Sequence, residues 1–311
     1  MNKPPVITVL FGGVGAEREI SLSSGNAIAD AFEEAGFEVA RCELHEAALP
    51  DDLDPAKTVI FPALHGEFGE DGQVQEQMDS LGFSYCGSNS EASRLCMHKA
   101  ESKALAHRQG IAILEGFSFS AAAPPSPELV IQTCGTSLIL KPEDKGSSVG
   151  LHLLEGQRDL ETALGKLKSG KWILERRVKG RELSIGILQG KGMGLVELIP
   201  ESGVYDFEAK YSAGKTRYEY PARLPKDLET RAREWAERLF SAAGCRDFGR
   251  VDFMLEGETG LFFLEINTLP GLTPTSLLPK SASCLGFSFP KLAKELVRPA
   301  IERFSTSVRC S

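Results

Sequence analysis

Asp252, Glu265 and Asn267 fall within one stretch, GRVDFMLEGETGLFFLEINTLPG (residues 249–271), whose other residues alternate like a buried β-strand. On a first strand Val251, Phe253 and Leu255 take one face, and Arg250 and Asp252 the other. On a second, Phe262, Leu264 and Ile266 oppose Glu265 and Asn267. The GETG segment at 257–260 is a turn signal, so the spacing predicts an antiparallel hairpin with Asp252 opposite Glu265 on one face. Carboxylates on a sheet cost free energy unless a cation neutralises them. Hard oxygen donors without sulfur or imidazole suit magnesium, which keeps waters and shares nucleotide phosphates. A solvated face on which Arg250 neutralises the acids accounts for the same residues, and the hairpin alone leaves both readings open.

Other segments carry related chemistry. LKPEDKGSSVGL (140–151) ends a strand at Lys141 and runs through Gly146, Ser147, Ser148 and Gly150, small residues that let backbone N–H groups approach phosphate oxygens. Its spacing is not that of a Walker A loop, and alone it is equally a turn. Lys99 and Lys141 are phosphate partners or ordinary surface lysines. In ILERRVKGREL (173–183) Glu175 ends a strand and Glu182 follows; each accepts from ribose hydroxyls or an adenine amino group, or is surface charge. Glu17 follows a Gly-rich turn, where an acid binds an ammonium or favours the start of the next helix. His65 leaves a strand end, placed for ligand contact or for a structural hydrogen bond.

The elements that must position these groups are legible in outline. Strands at 6–11, 37–42, 58–64 and 83–86 alternate with helices at 25–35 and 73–81, which predicts an open, largely parallel sheet with ligands at the carboxyl ends of its strands. A helix at 93–109 bridges to strands at 137–140, 151–154 and 172–175, with a helix at 160–168. Strands at 182–188 and 194–198, a lid-like loop at 200–221 and an amphipathic helix at 226–243 precede the hairpin. At 311 residues the chain exceeds one typical core, so two or three subdomains are expected. A net charge of −8 without a basic block excludes a nucleic-acid partner. Seven scattered cysteines without C-x-x-C read as reduced thiols rather than a disulfide framework or zinc site. No apolar run approaches a membrane span, and VITVLF, after Pro4-Pro5, reads as a first strand rather than a signal peptide.

Five segments, GGVGAEREISLSSG, HGEFGEDG, KPEDKGSSVG, YDFEAKY and RVDFMLEGETGLFFLEINTLPGLTPTSLLPK, occur in this order over almost the whole chain. Together they closely resemble the D-alanine–D-alanine ligases, a branch of the ATP-grasp superfamily. The resemblance implies a mixed α/β and α+β chain of ATP-grasp fold. A Rossmann-like subdomain would span 1–97, a central ATP-grasp subdomain 98–182, and a C-terminal subdomain with metal and substrate sites 183–311. The implied activity is ATP-dependent joining of two D-alanines through a D-alanyl phosphate, giving D-alanyl-D-alanine, ADP and phosphate for peptidoglycan precursors. The implied cofactors are ATP, two magnesium ions (replaceable by manganese) and a monovalent cation. The implied state is a cytoplasmic homodimer with no nucleic-acid or membrane partner.

Carried over by position, Asp252, Glu265 and Asn267 match the magnesium ligands, and Lys99, Lys141, Ser148, Glu175, Glu182 and Lys210 the ATP-binding positions. Glu17 matches the acid that holds the donor ammonium, and His65 a substrate contact. Arg250 and the Gly271 N–H match the groups around the oxyanion, and Ser276 and Leu277 the acceptor carboxylate site. Ser147 and Tyr211 match a hydrogen-bonded set with Glu17, and Tyr211 favours an amine acceptor. The chain departs from the family pattern at Gly15, usually Ser, and at His98, usually Asp; both bear on fine positioning. Rival readings are a ligase with D-lactate or D-serine as acceptor, another ATP-grasp carboxylate–amine ligase, and a non-catalytic ATP-binding module.

Overall fold

Three sheets follow one another along the chain in the computed structural model, which describes residues 4–146, 149–201 and 215–310. The first is parallel, with order β2-β1-β3-β4, from β1 (Val6–Gly12), β2 (Val39–Leu44), β3 (Thr58–Pro62) and β4 (Ser84–Tyr85). Its central strands read as unbroken apolar runs because both faces are covered. Ile7, Val9 and Phe11 pack against Ile28 and Phe32 of α1 (Arg18–Glu34). Leu10 and Ile60 pack against Val74 and Met78 of α2 (Gln73–Ser80).

Helix α1 begins at Arg18, seven residues before the start expected at 25. Two of its serines, Ser21 and Ser24, have partners outside the helix. The Ser21 hydroxyl donates to Ala63 O at 2.8 Å and accepts from Gly12 N–H at 2.8 Å, so it does not compete with the helix's own ladder. Gly25 is a packing residue: a Cβ there would lie 2.3 Å from Phe11 Cβ. The single helix expected at 93–109 is two, α3 (Ser90–Met97), capped by the Asn89 side chain, and α4 (Lys99–Arg108). They meet at His98, whose backbone is extended. Cys96, Leu105 and Ala106 share a core with Val251, Phe253 and Phe263, so the expected boundary at 98 separates two helices that pack on the same sheet.

The second sheet is antiparallel, with order β5-β8-β6-β7, from β5 (Gly116–Ser120), β6 (Ser137–Pro142), β7 (His152–Glu155) and β8 (Lys171–Arg176). Helices α5 (Pro127–Cys134) and α6 (Gly156–Leu164) cover it through Val130, Leu160 and Leu164. The third is also antiparallel, with order β11-β10-β9-β12-β13, from β9 (Arg181–Leu188), β10 (Lys191–Pro200), β11 (Thr216–Glu219), β12 (Phe248–Glu256) and β13 (Gly260–Asn267). Strand β11 falls within the stretch read as loop. On one face α7 (Lys226–Ala242) buries Leu228, Ala232, Ala236, Leu239 and Phe240. On the other lies α8 (Leu277–Ser283), where the Ser281 hydroxyl accepts from Gly186 N–H.

Asp252 does lie opposite Glu265, by a route the alternation did not predict. The turn is tighter than GETG: Glu256 pairs with Gly260, and the register keeps step to Phe253↔Phe263. A bulge then slips it by one, so Asp252 meets Glu265 instead of Leu264. The buried residues of β13 are therefore Leu261, Phe263 and Ile266, not Phe262, Leu264 and Ile266. Helix α9 (Phe289–Cys310) returns to the first sheet, where Leu296, Val297 and Ala300 join the Ile7–Phe11 core. Its Arg303 donates to both Asp247 oxygens, at 2.9 and 2.6 Å, and to Tyr85 O at 2.8 Å.

Among the described residues no helix is long and apolar enough to cross a membrane. A testable consequence concerns Gly25. Gly25→Ala drives a methyl into Phe11, and we expect a loss of about 1–3 kcal/mol of stability. It would be read as a lower urea midpoint with an unchanged slope.

Candidate active site

The site is built on the face of the third sheet opposite α7. Asp252 is buried and held from two sides. Arg250 donates through Nε to Oδ1 at 2.9 Å and through Nη2 to Oδ2 at 2.8 Å, and the Ser184 hydroxyl of β9 donates to Oδ1 at 2.6 Å. Arg250 thus neutralises Asp252, as one of the two open readings required. Glu265 is more open and faces a different cation, Lys99 Nζ at 3.9 Å. Asn267 stands opposite Arg250 in register, and its Oδ1 accepts from Leu269 N–H at 3.1 Å.

Lys99 is the first residue of α4, and the extended backbone at His98 delivers it to the site. It is buried and donates to Lys145 O at 2.7 Å. One helical turn later comes Lys103, which the sequence reading did not single out. Lys103 Nζ lies 2.5 Å from Glu175 Oε1, and Lys141 Nζ lies 3.1 Å from Oε2. Glu175 and Lys103 are buried, and Lys141 is partly so. Burial alone would raise the Glu175 pKa, but the two ammonium groups outweigh it and hold the carboxylate down at about 2. Burial pulls Lys103 below the ordinary lysine value against the attraction of Glu175. Lys141 is pushed up instead, because Glu175, Glu265 and Glu182 outweigh its burial. Glu175 therefore holds two lysines. The spacing Lys99–Lys103, one helical turn on one face, was the available sequence signal.

A third group gathers at the end of the first sheet. Glu17, 8% exposed, precedes α1, and its Oε2 lies where Gly66 and Gly146 approach: a Cβ on them would stand 2.6 and 3.2 Å from it. The backbones of Gly66 and Gly146 approach it closely, which brings the glycine loop of the second sheet against the Glu17 carboxylate. Glu70 accepts from Gly66 N–H at 2.7 Å. Burial and then the Glu17 charge push its pKa up to about 8, against the Gly66 N–H and Arg250. Glu70 lies in the quoted HGEFGEDG but was assigned no role; burial beside a second acid is not visible in sequence. His65 Nε2 lies 3.2 Å from Ser24 Oγ, and burial and then the Arg250 charge lower its pKa to about 4, so the ring is neutral near pH 7.

Gly271 and Ser276 are adjacent, with a Cβ on Gly271 falling 3.1 Å from Ser276 Oγ. Ser276 Oγ accepts from Thr273 N–H at 3.1 Å, and Leu277 packs with Val196 and Leu198. The charges of Arg250 and Glu265 act on Glu70, and that of Glu265 also on Lys103 and Lys141, so the three groups form one site. Ser147, Ser148, Lys210 and Tyr211 lie outside the described residues. Among the described residues there is no cluster of three or more His, Cys, Asp or Glu side chains arranged for a metal. Two carboxylates and an amide oxygen remain a sufficient protein contribution for magnesium, which completes its shell with water and phosphate.

A five-stranded and a four-stranded antiparallel sheet, contributing carboxylates and lysines to one site, define an ATP-grasp protein. The family model for the D-ala D-ala ligase C-terminus matches residues 108–298. A D-alanine–D-alanine ligase of Anaeromyxobacter sp. (strain K) is 40% identical over 293 residues, covering 94% of this chain and 95% of the relative. One from Desulforudis audaxviator is 36% identical over 303 residues, covering 96% and 99%. The structure of the D-alanine–D-alanine ligase of Bacillus anthracis complexed with ATP matches with a TM-score of 0.84 at 26% identity, covering 97% of this chain and 99% of that one. The VanG D-Ala:D-Ser ligase of Enterococcus faecalis matches at 0.82 and 25%, covering 96% and 100%. The chain belongs to the D-alanine–D-alanine ligase family.

The Glu70 environment has a measurable consequence. Its folded pKa is raised, so its stabilising contribution is complete below the unfolded value of 4.5 and is lost as pH rises through about 8. His65 acts with the opposite sign, below 6.5, so the test belongs above that value. We expect wild-type unfolding free energy to fall between about pH 6.5 and 9 by about 2 kcal/mol more than that of Glu70→Gln, read by urea titration.

Proposed function

We propose that the protein joins two D-alanine molecules in an ATP-dependent reaction, giving D-alanyl-D-alanine, ADP and phosphate for peptidoglycan precursors. The observation that carries this reading is the convergence of Glu17, Arg250 and the Asp252–Glu265–Asn267 oxygens with the lysines of α4 and β6. A carboxylate is a poor acylating group until the γ-phosphoryl of ATP is transferred to its oxygen, giving an acyl phosphate from which an attacking amine displaces phosphate; that transfer depends on charge neutralisation and alignment.

The chain's residues suit those tasks. Lys99 and Lys141 neutralise the triphosphate, with Lys103 held beside them through Glu175. Glu182, whose charge acts on Lys141, takes the ribose side. Asp252, Glu265 and Asn267 hold two magnesium ions, or manganese in their place; when bound, the ions neutralise the phosphate oxygens. Glu17 binds the donor ammonium, with neutral His65 alongside the donor. Arg250 and the Gly271 N–H face the oxyanion, and Ser276 and Leu277 the acceptor carboxylate. Ser147, Ser148, Lys210 and Tyr211 are assigned by resemblance to loops that close over the nucleotide and acceptor. A monovalent cation, a cytoplasmic setting, a homodimer and the division at 97/98 and 182/183 are likewise carried from the resemblance. The three successive sheets support a three-part chain.

The acceptor is D-alanine rather than D-lactate or D-serine, as the names of the curated relatives support. The direct test is ADP release as a function of D-alanine, with the product identified by mass. ADP release that ignores D-alanine would leave a nucleotide-binding module, and a depsipeptide product would shift the acceptor. We expect Glu265→Gln to fold normally and to lower ADP formation by about two orders of magnitude. Near-normal turnover of that variant at saturating magnesium would remove Glu265 from the metal site. Glu17→Gln keeps size and loses charge; we expect the D-alanine concentration for half-saturation to rise about tenfold or more. ATP affinity should hold steady, and a drop in ATP affinity alone would refute the donor assignment.

A further inference from the structure

The described cysteines are all free thiols, and two of them touch. Cys96 Sγ and Cys245 Sγ lie 3.6 Å apart although 149 residues separate them in sequence. Cys96 is 4% exposed in the last turn of α3, while Cys245 is partly exposed in the turn between α7 and β12. Other thiols face carbonyls: Cys134 donates to Glu115 O and Cys284 to Lys280 O. A disulfide needs ~2.05 Å between sulfurs, so oxidation closes the observed contact by roughly 1.5 Å.

We propose that Cys96 and Cys245 are a redox modification site, at which Cys245 meets a peroxide oxidant and Cys96 resolves the product as a reversible disulfide. The division of roles follows from exposure, because an oxidant reaches Cys245 from solvent and Cys96 waits behind it. The proton distribution agrees. The hydrogen bond from Cys96, and then Ser88, lowers the Cys245 pKa against burial, whereas Cys96 is raised. In the first step the Cys245 thiolate sulfur attacks one peroxide oxygen and the O–O bond breaks. Sulfenic acid forms and hydroxide leaves, to be protonated to water. In the second, the Cys96 sulfur attacks the Cys245 sulfur, the S–O bond breaks, and the hydroxyl departs as water with the Cys96 proton. Two thiols lose two electrons and two hydrogens, and one hydrogen peroxide becomes two waters.

The bond would tie the end of α3, directly before the His98–Lys99 junction, to the entrance of β12, which carries Arg250 and Asp252. The site is separate from the ligase reading, and its test does not depend on turnover. The reduced full-length protein is treated with stoichiometric hydrogen peroxide, alkylated and mapped by mass spectrometry without reductant. We expect one cross-linked peptide pair joining Cys96 to Cys245, two hydrogens lighter and restored by dithiothreitol. In Cys96→Ala, Cys245 should stop at a sulfenic acid that dimedone traps, persisting ~10-fold longer or more than in wild type. Equal persistence in both proteins, a cross-link to another cysteine, or oxidation that spares Cys245 would overturn the proposal. A second measurement uses only wild-type protein. Phenylarsine oxide, which needs two neighbouring thiols, should protect Cys96 and Cys245 together from alkylation; failure to protect both would also overturn it.

Discussion

One slipped residue in the β12–β13 register is the constraint on which the site depends. From the turn to Phe253 the hairpin keeps an even step, and in that step the residue facing Asp252 would be Leu264. The bulge exchanges Leu264 for Glu265 while Phe253 and Phe263 stay in the core. Side chains on a strand alternate, so no straight pairing satisfies both demands at once. The same hairpin binds the core to α7 on one face and gathers the acids on the other. Strand β9 adds Ser184 beneath Asp252, so the carboxylate is oriented before any ligand arrives.

Around that face the charges are arranged in balanced groups. Asp252 answers Arg250, Glu175 answers Lys103 and Lys141, and Glu265 faces Lys99. Glu70 is the exception, a buried acid beside another acid that keeps its proton into the neutral range. Pairing lets strongly charged residues remain below the surface, since an unpaired buried charge costs several kcal/mol. Pre-ordered charges also need little reorganisation when phosphate charge moves, which suits phosphoryl transfer.

Much of this was legible in the chain, and the failures have physical causes. Alternation and a turn signal were enough to place Asp252 opposite Glu265, but not to detect the bulge, because Phe262, Phe263 and Leu264 are interchangeable in a hydrophobic pattern. The early start of α1 was hidden by polar residues such as Ser21, whose partners, Gly12 and Ala63, lie on β1 and just past β3. The break at His98 has no glycine or proline to mark it. Lys103 and Glu70 were passed over because lysines and glutamates are ordinarily solvent-facing, and only the fold shows that these are enclosed. Asp252, Glu265 and Asn267 drew attention because Asp, Glu and Asn on a strand break a pattern; an ordinary lysine on a helix breaks none.

The return of α9 to the first sheet bears on how the molecule is made. Ile7, Val9 and Phe11 leave a ribosome well before Leu296, Val297 and Ala300, which share their core from the far end of the fold. The clamp from Arg303 to Asp247 and the Tyr85 carbonyl closes later still. Until those residues are made, the parallel sheet has α1 but not α9 over that flank. Contacts of such long sequence separation form slowly and leave apolar surface open meanwhile. A chain cut short before α9 would keep the β12–β13 hairpin and lose part of the cover of its first sheet. The Leu296–Arg303 stretch of α9 thus guards the nascent protein against association through its first sheet.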